Sequence, residues 1–292
     1  ANTEPGSYTV TASSQYGTVS FSLTNTATGI PARLVAIPLK SRSASVMSRY
    51  PQPLQVEVLD ANGNPVAGTT VTFTLGSGAS SACGTTTSSS AGASFTGGGA
   101  QATATTDTSG VASSPLFTAN STAGSFTAAA TVSSSNGGGS GSATTAGSSS
   151  ATPVSFSLAN LAGKPVKLTT GVGSTQSTLA GSPFPVSLAV RVTDAEKNPV
   201  AGALVTFSAP RAGASGRFAR RPSIGHSRGF HRRRFRASSS DTVQVKTNVC
   251  GIAVAPVFTA NHLPGGYIVK ATVEHARPAA FALVNEAPRE SQ

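Results

Sequence analysis

Apolar and polar side chains alternate in two stretches of the chain, 54–75 and 188–208. The apolar row of the first stretch consists of Leu54, Val56, Val58, Val71, Phe73 and Leu75. A period of two places one row of side chains on a core face and the other toward solvent. Glu57 and its counterpart Arg191 carry opposite charges in the second row, which indicates a position that points into water. Each stretch is therefore predicted to form two strands joined by a tight connection.

The second stretch repeats the first. The matched pairs, all separated by the same number of residues, are Asp60 and Asp194, Asn64 and Asn198, Pro65 and Pro199, Gly68 and Gly202, and Phe73 and Phe207. Between the arms, Asp60–Gly63 has the composition of a turn, and Pro65 suits a strand edge because it lacks an N–H donor. A long internal repeat of this kind predicts a repeated β-domain.

Oxygen-bearing side chains in this turn are spaced like the first ligands of a calcium loop. They are Asp60, Asn62 and Asn64. A calcium loop also needs Gly at its sixth position and a carboxylate at its twelfth. Pro65 and Val71 occupy those two positions. We therefore predict a structural turn here, and the sequence predicts no metal and no cofactor.

The remaining elements follow in the same order in both repeats. In the first, 27–161, we predict an opening strand at 32–39, a polar connection at 40–53, a mobile Gly/Ser-rich loop at 76–99, strands at 100–106, 111–118 and 124–132, a flexible excursion at 133–152 and a closing strand at 154–158. In the second, 162–287, we predict an opening strand at 166–170, a lead-in at 179–185, and strands at 252–259 and 267–273. Residues 288–292 follow the second repeat as a tail. Short strands with turn signals and no helical periodicity predict an all-β chain of tandem immunoglobulin-like antiparallel β-sandwiches.

The first 26 residues match the end of a repeat. Tyr8, Phe126 and Tyr267 fall at the same repeat position, and Gly6, Gly124 and Gly265 precede them by the same distance. The segment is therefore predicted to supply the closing strands of a preceding, truncated sandwich, which makes the chain a fragment of a longer polypeptide. Because isolated hairpins are marginally stable, we expect it to pack on the next domain or to be poorly ordered.

Three ordered motifs carry a resemblance to a known family. DANGNPVAGTTVTF is followed by ATTDTSGVASSPLFTAN and AGSFTAAATV, and this order resembles the bacterial immunoglobulin-like domain of group 1, found in invasin- and intimin-type adhesins. The resemblance covers most of the chain. It implies β-sandwiches in tandem array, a cell-surface or secreted, extracellular location and a structural or adhesive role without catalytic residues. The implied partners are a host or neighbouring-cell surface protein or glycan, and no small-molecule substrate.

Composition adds a strong charge asymmetry. The chain has 292 residues and a formal net charge of +11, and all of that excess lies in the second half. A length of this size accommodates two domains with real cores. No apolar stretch is long enough to span a bilayer as a helix.

The charge concentrates in one arginine tract, 211–236, that contains no acidic residue. The candidate anion-binding residues are Arg217, Arg220, Arg221, Arg228, Arg232, Arg233, Arg234 and Arg236, and Phe218, Phe230 and Phe235 are interleaved with them. Clustered guanidinium groups neutralise phosphate or sulfate, and aromatic rings can stack on bases, so an acidic glycan, a nucleic acid or an anionic surface is a candidate partner. The alternative is an inert insertion in the loop slot after the 71–75 strand.

Other reactive side chains give weaker signals. Gly225–Gly229 matches the G-x-S-x-G pattern with Ser227 as nucleophile, but no helix follows it, so a hydrolase is disfavoured and no catalytic residue is predicted. His226 and His231 lie among arginines that would repel a metal cation. Cys83 and Cys250 occupy non-equivalent repeat positions, and we expect two unpaired thiols.

Overall fold

The computed structural model describes residues 6–25, 29–79, 90–132, 151–219 and 239–288. Every element of regular secondary structure in these residues is a β-strand. The chain divides into two compact units, with the division between Leu161 and Ala162. We call the part up to Leu161 unit 1 and the part from Ala162 unit 2. The fold prediction of an all-β chain with antiparallel immunoglobulin-like sandwiches is confirmed.

Unit 1 contains twelve strands in its described residues. In chain order they are β1 (Gly6–Ser14), β2 (Gly17–Asn25), β3 (Arg33–Ala36), β4 (Ser43–Ser45), β5 (Gln55–Leu59), β6 (Thr70–Leu75), β7 (Ala93–Phe95), β8 (Gln101–Thr105), β9 (Val111–Ser113), β10 (Phe117–Ala119), β11 (Gly124–Val132) and β12 (Val154–Leu161). They form one sheet in the order β3-β5-β9, a second in the order β4-β12-β11-β6-β8, and two hairpin-like pairs, β7 with β10 and β1 with β2. All pairs are antiparallel except β4 with β12.

Unit 2 repeats this plan. Its strands are β13 (Lys167–Thr170), β14 (Thr175–Leu179), β15 (Ala189–Thr193), β16 (Leu204–Ser208), β17 (Gly216–Ala219), β18 (Ser239–Ser240), β19 (Thr242–Lys246), β20 (Ile252–Val254), β21 (Phe258–Ala260), β22 (Gly265–Thr272) and β23 (Ala279–Glu286). The sheet orders are β13-β15-β20, β14-β23-β22-β16-β19 and β18-β17-β21. β14 pairs parallel to β23, as β4 does to β12.

The two predicted strands of the 54–75 stretch exist, but they do not pair with each other. β5 pairs with β3 and β9, whereas β6 pairs with β8 and β11 in the other sheet. The first part of the connection is hydrogen-bonded to β5, since the Val66 N–H donates to Val58 O at 2.9 Å. Two residues later the Gly68 N–H donates to Thr106 O at 3.0 Å, next to β8 of the other sheet. The two predicted strands are therefore confirmed, and the connection between them carries the chain from one sheet to the other.

The core of unit 1 lies between these two sheets. Val56 and Val58 from one side and Val71 and Phe73 from the other are fully buried, so the predicted apolar row is confirmed. Unit 2 buries the matching residues Val190, Val192, Val205 and Phe207 in the same way. Glu57 and Arg191 are half-buried, which corrects the prediction that their position points fully into water.

Several short elements contradict the loop predictions. The connection 40–53 contains β4 and the buried side chain of Tyr50. The loop 76–99, expected to bury almost nothing, contains β7 and the buried Phe95, although its residues 80–89 lie outside the described part. The strand 111–118 is split at Ser114 and Pro115 into β9 and β10, which join different sheets. The segment before 179 contains β14. Most of these elements are too short to show a period of two.

Two further predictions concern the connections and the cysteines. Residues 133–150 of the predicted excursion 133–152 lie outside the described residues, but the strands that the excursion joins, β11 and β12, are antiparallel neighbours.

Cys250 is disulfide-bonded, so the prediction of an unpaired thiol is wrong for this residue. Cys83 lies outside the described residues.

Candidate anion-binding loop

The arginine tract includes one strand of unit 2, β17. In β17 the side chains alternate, so that Gly216 and Phe218 are buried while Arg217 and Ala219 are exposed. β17 pairs with β21 on one side and with β18 on the other, where Ala219 faces Ser239. The segment 220–238 therefore connects two antiparallel neighbours in one sheet.

Unit 1 has a tight turn at the matching place. There β7 pairs with β10, and the turn after Phe95 is closed by the Phe95 N–H, which donates to Gly99 O at 2.9 Å. The segment 220–238 thus replaces the turn 96–99. This corrects the predicted placement, since only the part of the tract beyond Ala219 is an insertion, and Gly216–Ala219 is a strand of the repeat.

Phe218 is not available to stack on a ligand. Its side chain has no exposed area, and its ring centroid lies 4.5 Å from that of Phe258 and 6.2 Å from that of Phe207. The prediction that this ring is a ligand-stacking aromatic is wrong, because the alternation of β17 directs it into the core. Phe95 holds the matching position in unit 1, and alignment of the two phenylalanines across the repeats was the signal in the sequence.

The structure places one of the predicted anion-binding side chains. Arg217 is exposed and faces Thr259 on β21. The other seven, Arg220, Arg221, Arg228, Arg232, Arg233, Arg234 and Arg236, lie outside the described residues, as do Phe230, Phe235, His226, His231 and the Gly225–Gly229 motif with Ser227.

An acidic residue just beyond the tract pairs with its first arginine. Arg211 Nε lies 2.9 Å from Asp241 Oδ2, and the two side chains are 85% and 32% exposed. The Ala209 N–H also donates to Asp241 O at 2.8 Å, so Asp241 is fixed beside the segment that leads into β17. An exposed pair of this kind contributes about 0–1 kcal/mol. The main effect of the pair is that the charge of Arg211 is neutralised by Asp241. Arg211 is accordingly not one of the candidate anion-binding residues.

The turn that resembles a calcium loop is held by its own hydrogen bonds. Asp60 Oδ1 accepts the N–H groups of Asn62 and Asn64 at 2.9 and 2.8 Å, and Asp60 Oδ2 accepts Asn64 Nδ2 at 3.2 Å. Asp194 and Asn198 repeat the arrangement at 2.7 and 3.0 Å. Both aspartates are buried, and their carboxylate oxygens accept hydrogen bonds from backbone N–H groups and from the asparagine side chains. In the part of the chain that the structure describes, no three His, Cys, Asp or Glu side chains are grouped as metal ligands.

One groove of unit 1 was not predicted. It has a volume of about 190 Å³ and is lined by Ala36, Ile37, Pro38, Leu39, Arg42, Ser155, Phe156 and Ser157. Arg42 is its single charged lining residue. The groove forms where the connection after β3 passes β12, two segments far apart in the sequence. No local pattern of residues could therefore indicate it.

No family model and no curated protein sequence matches the chain. Among solved structures, FdeC, an Escherichia coli adhesin, is 14% identical, with 98% of this chain and 75% of that chain covered and a TM-score of 0.45. Invasin, a bacterial integrin-binding protein, is 17% identical over 87% of this chain and 39% of its own, with a TM-score of 0.32. InvE, an adhesin of Yersinia pseudotuberculosis, is 16% identical over 87% and 58%, with a TM-score of 0.30.

At these identities and scores, the likenesses assign no ligand, partner or activity to this chain. The chain spans three quarters of the FdeC chain but less than two thirds of the invasin and InvE chains. Within the described residues, the structure contains no helix with the length and apolar character of a membrane span.

Proposed function

We propose that this chain is a non-enzymatic structural and adhesive segment of a bacterial tandem-repeat surface protein, placed outside the cell. Its immunoglobulin-like domains are 27–161 and 162–287. The ground for the surface location is the resemblance of the 60–73 motif and of the strands after it to group 1 bacterial immunoglobulin-like domains. The partner would be a protein or glycan on a host or neighbouring cell.

The observation that carries this proposal is the repetition of one scaffold. Phe73 and Phe207 are both fully buried at matching strand positions, and Phe126 and Tyr267 are the third residues of matching strands in the two closing hairpins. Repetition of a domain adds length and stiffness to a chain without adding a reaction centre. A spacer that presents a binding surface needs this property, whereas an enzyme needs a single converging set of reactive groups.

Surface display on a non-adherent bacterium tests the adhesive role. We expect the displayed chain to raise adherence to epithelial cells over that of the anchor alone. A matched control carries Phe73→Asp and Phe207→Asp, which place a charge in each core, and it should lose the gain at equal display. A folded, displayed chain that adds no adherence would overturn the proposal.

Labelling with a fluorophosphonate tests the non-enzymatic part. No labelling of Ser227 is expected, because the sequence around it lacks the strand-turn-helix pattern that a serine nucleophile of this motif requires. Labelling that disappears in Ser227→Ala would show an activated serine and would favour a hydrolase centred on this residue.

A second function has its own observation in favour. Arg217 projects outward from β17 directly before the arginines of 220–238, and among the described residues of the tract only Arg211 is paired with an acid. We propose that this tract gives unit 2 a polyanion-binding surface for an acidic glycan, a nucleic acid or an anionic surface. Counterion release would make such binding fall steeply with salt.

Heparin chromatography tests this function. Replacement of Arg232, Arg233 and Arg234 by Ser should lower the salt concentration of elution markedly. The matched control replaces Arg33, Arg42 and Arg49 by Ser and removes the same charge from unit 1, so elution should change little. Equal shifts for both variants would mean that retention reports net charge alone, and unchanged elution of the first variant would remove the tract as a binding site.

A further inference from the structure

The outer edge of β12 is only partly covered in unit 1. Among the described residues, β4 pairs with this edge at residues 159–161, and no strand pairs with it before them. The Ala159 N–H points outward, because it donates to Arg42 O at 2.9 Å. Hydrogen-bonding groups alternate between the two sides of a strand, so the N–H and C=O groups of Ser155 and Ser157 also point outward. Both serines line the groove of unit 1.

In unit 2 the chain itself covers the matching edge. β14 pairs with β23 along all five of its residues, and the Ser174 carbonyl, one residue before β14, accepts the Ala282 N–H at 2.9 Å. Ala282 holds the place of Ser157, because the two closing strands align on Asn160 and Asn285. An extended backbone segment therefore fits beside this position of the repeat.

Unit 1 directs the matching segment away from β12. Lys40 holds the place of Ser174, but its N–H donates to Oε1 of Gln52 at 2.9 Å. Within the described part of the chain, the Ser157 N–H donates no hydrogen bond to this segment. The groove opens between the uncovered edge and residues 36–39.

The walls of the groove indicate the chemistry of its occupant. Ile37, Leu39 and Phe156 supply apolar surface, and Arg42 is the single charged lining residue. Arg42 is exposed, and it forms no ion pair with any residue that the structure describes. The volume of about 190 Å³ is below the roughly 300–1,000 Å³ of a pocket for a whole small molecule. It suits a side chain of a strand that lies along the edge.

We propose that unit 1 binds an extended peptide segment of a partner protein, which adds to β12 at Ser155 and Ser157 and places a carboxylate beside Arg42. The outward N–H and C=O groups supply the backbone hydrogen bonds of strand addition. An apolar side chain of the peptide enters the groove against Leu39 and Phe156, and the carboxylate complements the one charge there. The inference goes beyond the proposed function and does not rest on it, because the groove belongs to unit 1 wherever the chain is located.

A peptide selected on the full chain is the probe. It is taken from a random library displayed on phage, synthesised with blocked ends and titrated by fluorescence anisotropy. We expect it to contain an acidic residue, and we expect Arg42→Glu to weaken binding by about fivefold or more, since an attraction is lost and a repulsion is gained. The matched control, Arg49→Glu, makes the same charge change at another exposed arginine of unit 1 and should leave the affinity unchanged.

A second measurement tests the strand addition itself. The bound peptide should slow amide exchange at Ser157 of the unsubstituted chain by about tenfold or more, because this N–H gains a partner. Ser157→Pro removes the same N–H and should abolish binding. Proline is tolerated at a strand edge whose N–H makes no ladder bond, and the urea midpoint of unit 1 shows whether the variant is folded.

Four results would overturn the proposal. Selection yields no peptide, or the bound peptide leaves exchange at Ser157 unchanged. Binding survives Arg42→Glu and is lost when Arg232, Arg233 and Arg234 are replaced by Ser, which assigns acidic peptides to the arginine tract. Exchange at Ser157 is already slow in the chain alone and speeds up on dilution, which assigns the edge to a second copy. Adherence enters none of these measurements, so failure here and failure of the proposed function are separate results.

Discussion

The hydroxyl of Tyr50 donates a 2.9 Å hydrogen bond to Oδ1 of Asn160, which lies on the last strand of unit 1. Asn160 Nδ2 in turn donates to Gly92 O at 2.8 Å, to Asn120 Oδ1 at 3.1 Å and to Thr122 O at 3.2 Å. Both side chains of the pair are buried. One asparagine thus joins the connection before β5, the start of β7, the turn before β11 and the closing strand.

Unit 2 has an asparagine at the matching position, Asn285, but its tyrosine hydroxyl lies at a different position of the repeat. Asn285 Nδ2 donates to Ser215 O at 3.0 Å and to Asn261 Oδ1 at 2.9 Å. Phe184 stands where unit 1 has Tyr50, and Tyr267 stands where unit 1 has Phe126. Among the described residues, neither Asn285 Oδ1 nor the Tyr267 hydroxyl has a hydrogen-bond partner, although both atoms are buried. Unit 2 therefore leaves unpaired the two kinds of group that unit 1 pairs.

The first prediction removes the hydroxyl from unit 1. Tyr50→Phe leaves Asn160 Oδ1 without its buried donor, and we expect it to lower the free energy of unfolding of unit 1 by about 1–3 kcal/mol. Native-state hydrogen exchange, resolved by peptide, measures this in β6 and β11. Peptides of unit 2 in the same sample are the control and should keep their exchange rates. Loss of protection in both units would contradict a local role.

The second prediction transplants the arrangement into unit 2. Phe184→Tyr supplies a donor to Asn285 Oδ1, and Tyr267→Phe removes the unpaired hydroxyl. We expect the double variant to raise the free energy of unfolding of unit 2 by roughly 0.5–1.5 kcal/mol for the hydrogen bond gained. The urea midpoint of unit 2 is measured by pulse proteolysis. A lower midpoint would show that the ring of residue 184 cannot direct a hydroxyl toward Asn285.

The third prediction concerns pH. Burial raises the pKa of Tyr50 from 10.0 to about 12. The neutral phenol is therefore favoured by folding, so its contribution to stability is complete below about pH 10 and is lost as pH rises through about 12. Urea unfolding followed by circular dichroism at pH 9 and pH 11 should show this loss, and Tyr50→Phe should reduce it. Burial also raises the pKa of Tyr267, so unit 2 should lose stability in the same direction.

The fourth prediction separates backbone strain from steric contact at two glycines with similar φ. Gly63 has φ of 87° and open space around an added Cβ, so Gly63→Ala should cost about 1–2 kcal/mol for the left-handed conformation alone. Gly110 has φ of 72°, and a Cβ there would lie 2.8 Å from Pro65 Cβ and 2.9 Å from Val58 O. Gly110→Ala should therefore destabilise unit 1 clearly more. Equal losses in urea unfolding would mean that the turn shifts without cost.

The sequence predicted the features that depend on neighbouring residues, and it did not predict those that depend on contacts between distant ones. The rows through Val56 and Phe73 were predictable because alternation over five or six residues is a strong signal. The crossing between sheets was not, since hydrogen-bond partners such as those of β6 are distant in sequence. Tyr50 and Phe95 were missed because each is a lone aromatic in a polar segment. The arginine tract was conspicuous by composition, but composition could not separate the core side chain Phe218 from the surface side chain Arg217.

The last prediction tests that separation on two adjacent side chains of β17. Phe218→Ala removes a fully buried ring that contacts Phe258 and Phe207, and we expect unit 2 to lose about 3–5 kcal/mol of unfolding free energy. Arg217→Ser alters an exposed side chain and should change stability by less than about 0.5 kcal/mol. Retention on heparin should show the reverse order: Arg217→Ser should lower it more than Phe218→Ala, because the arginine change removes a positive charge beside the loop. If Arg217→Ser destabilises unit 2 as strongly as Phe218→Ala, the side chain of Arg217 is part of the fold and not of an anion-binding surface.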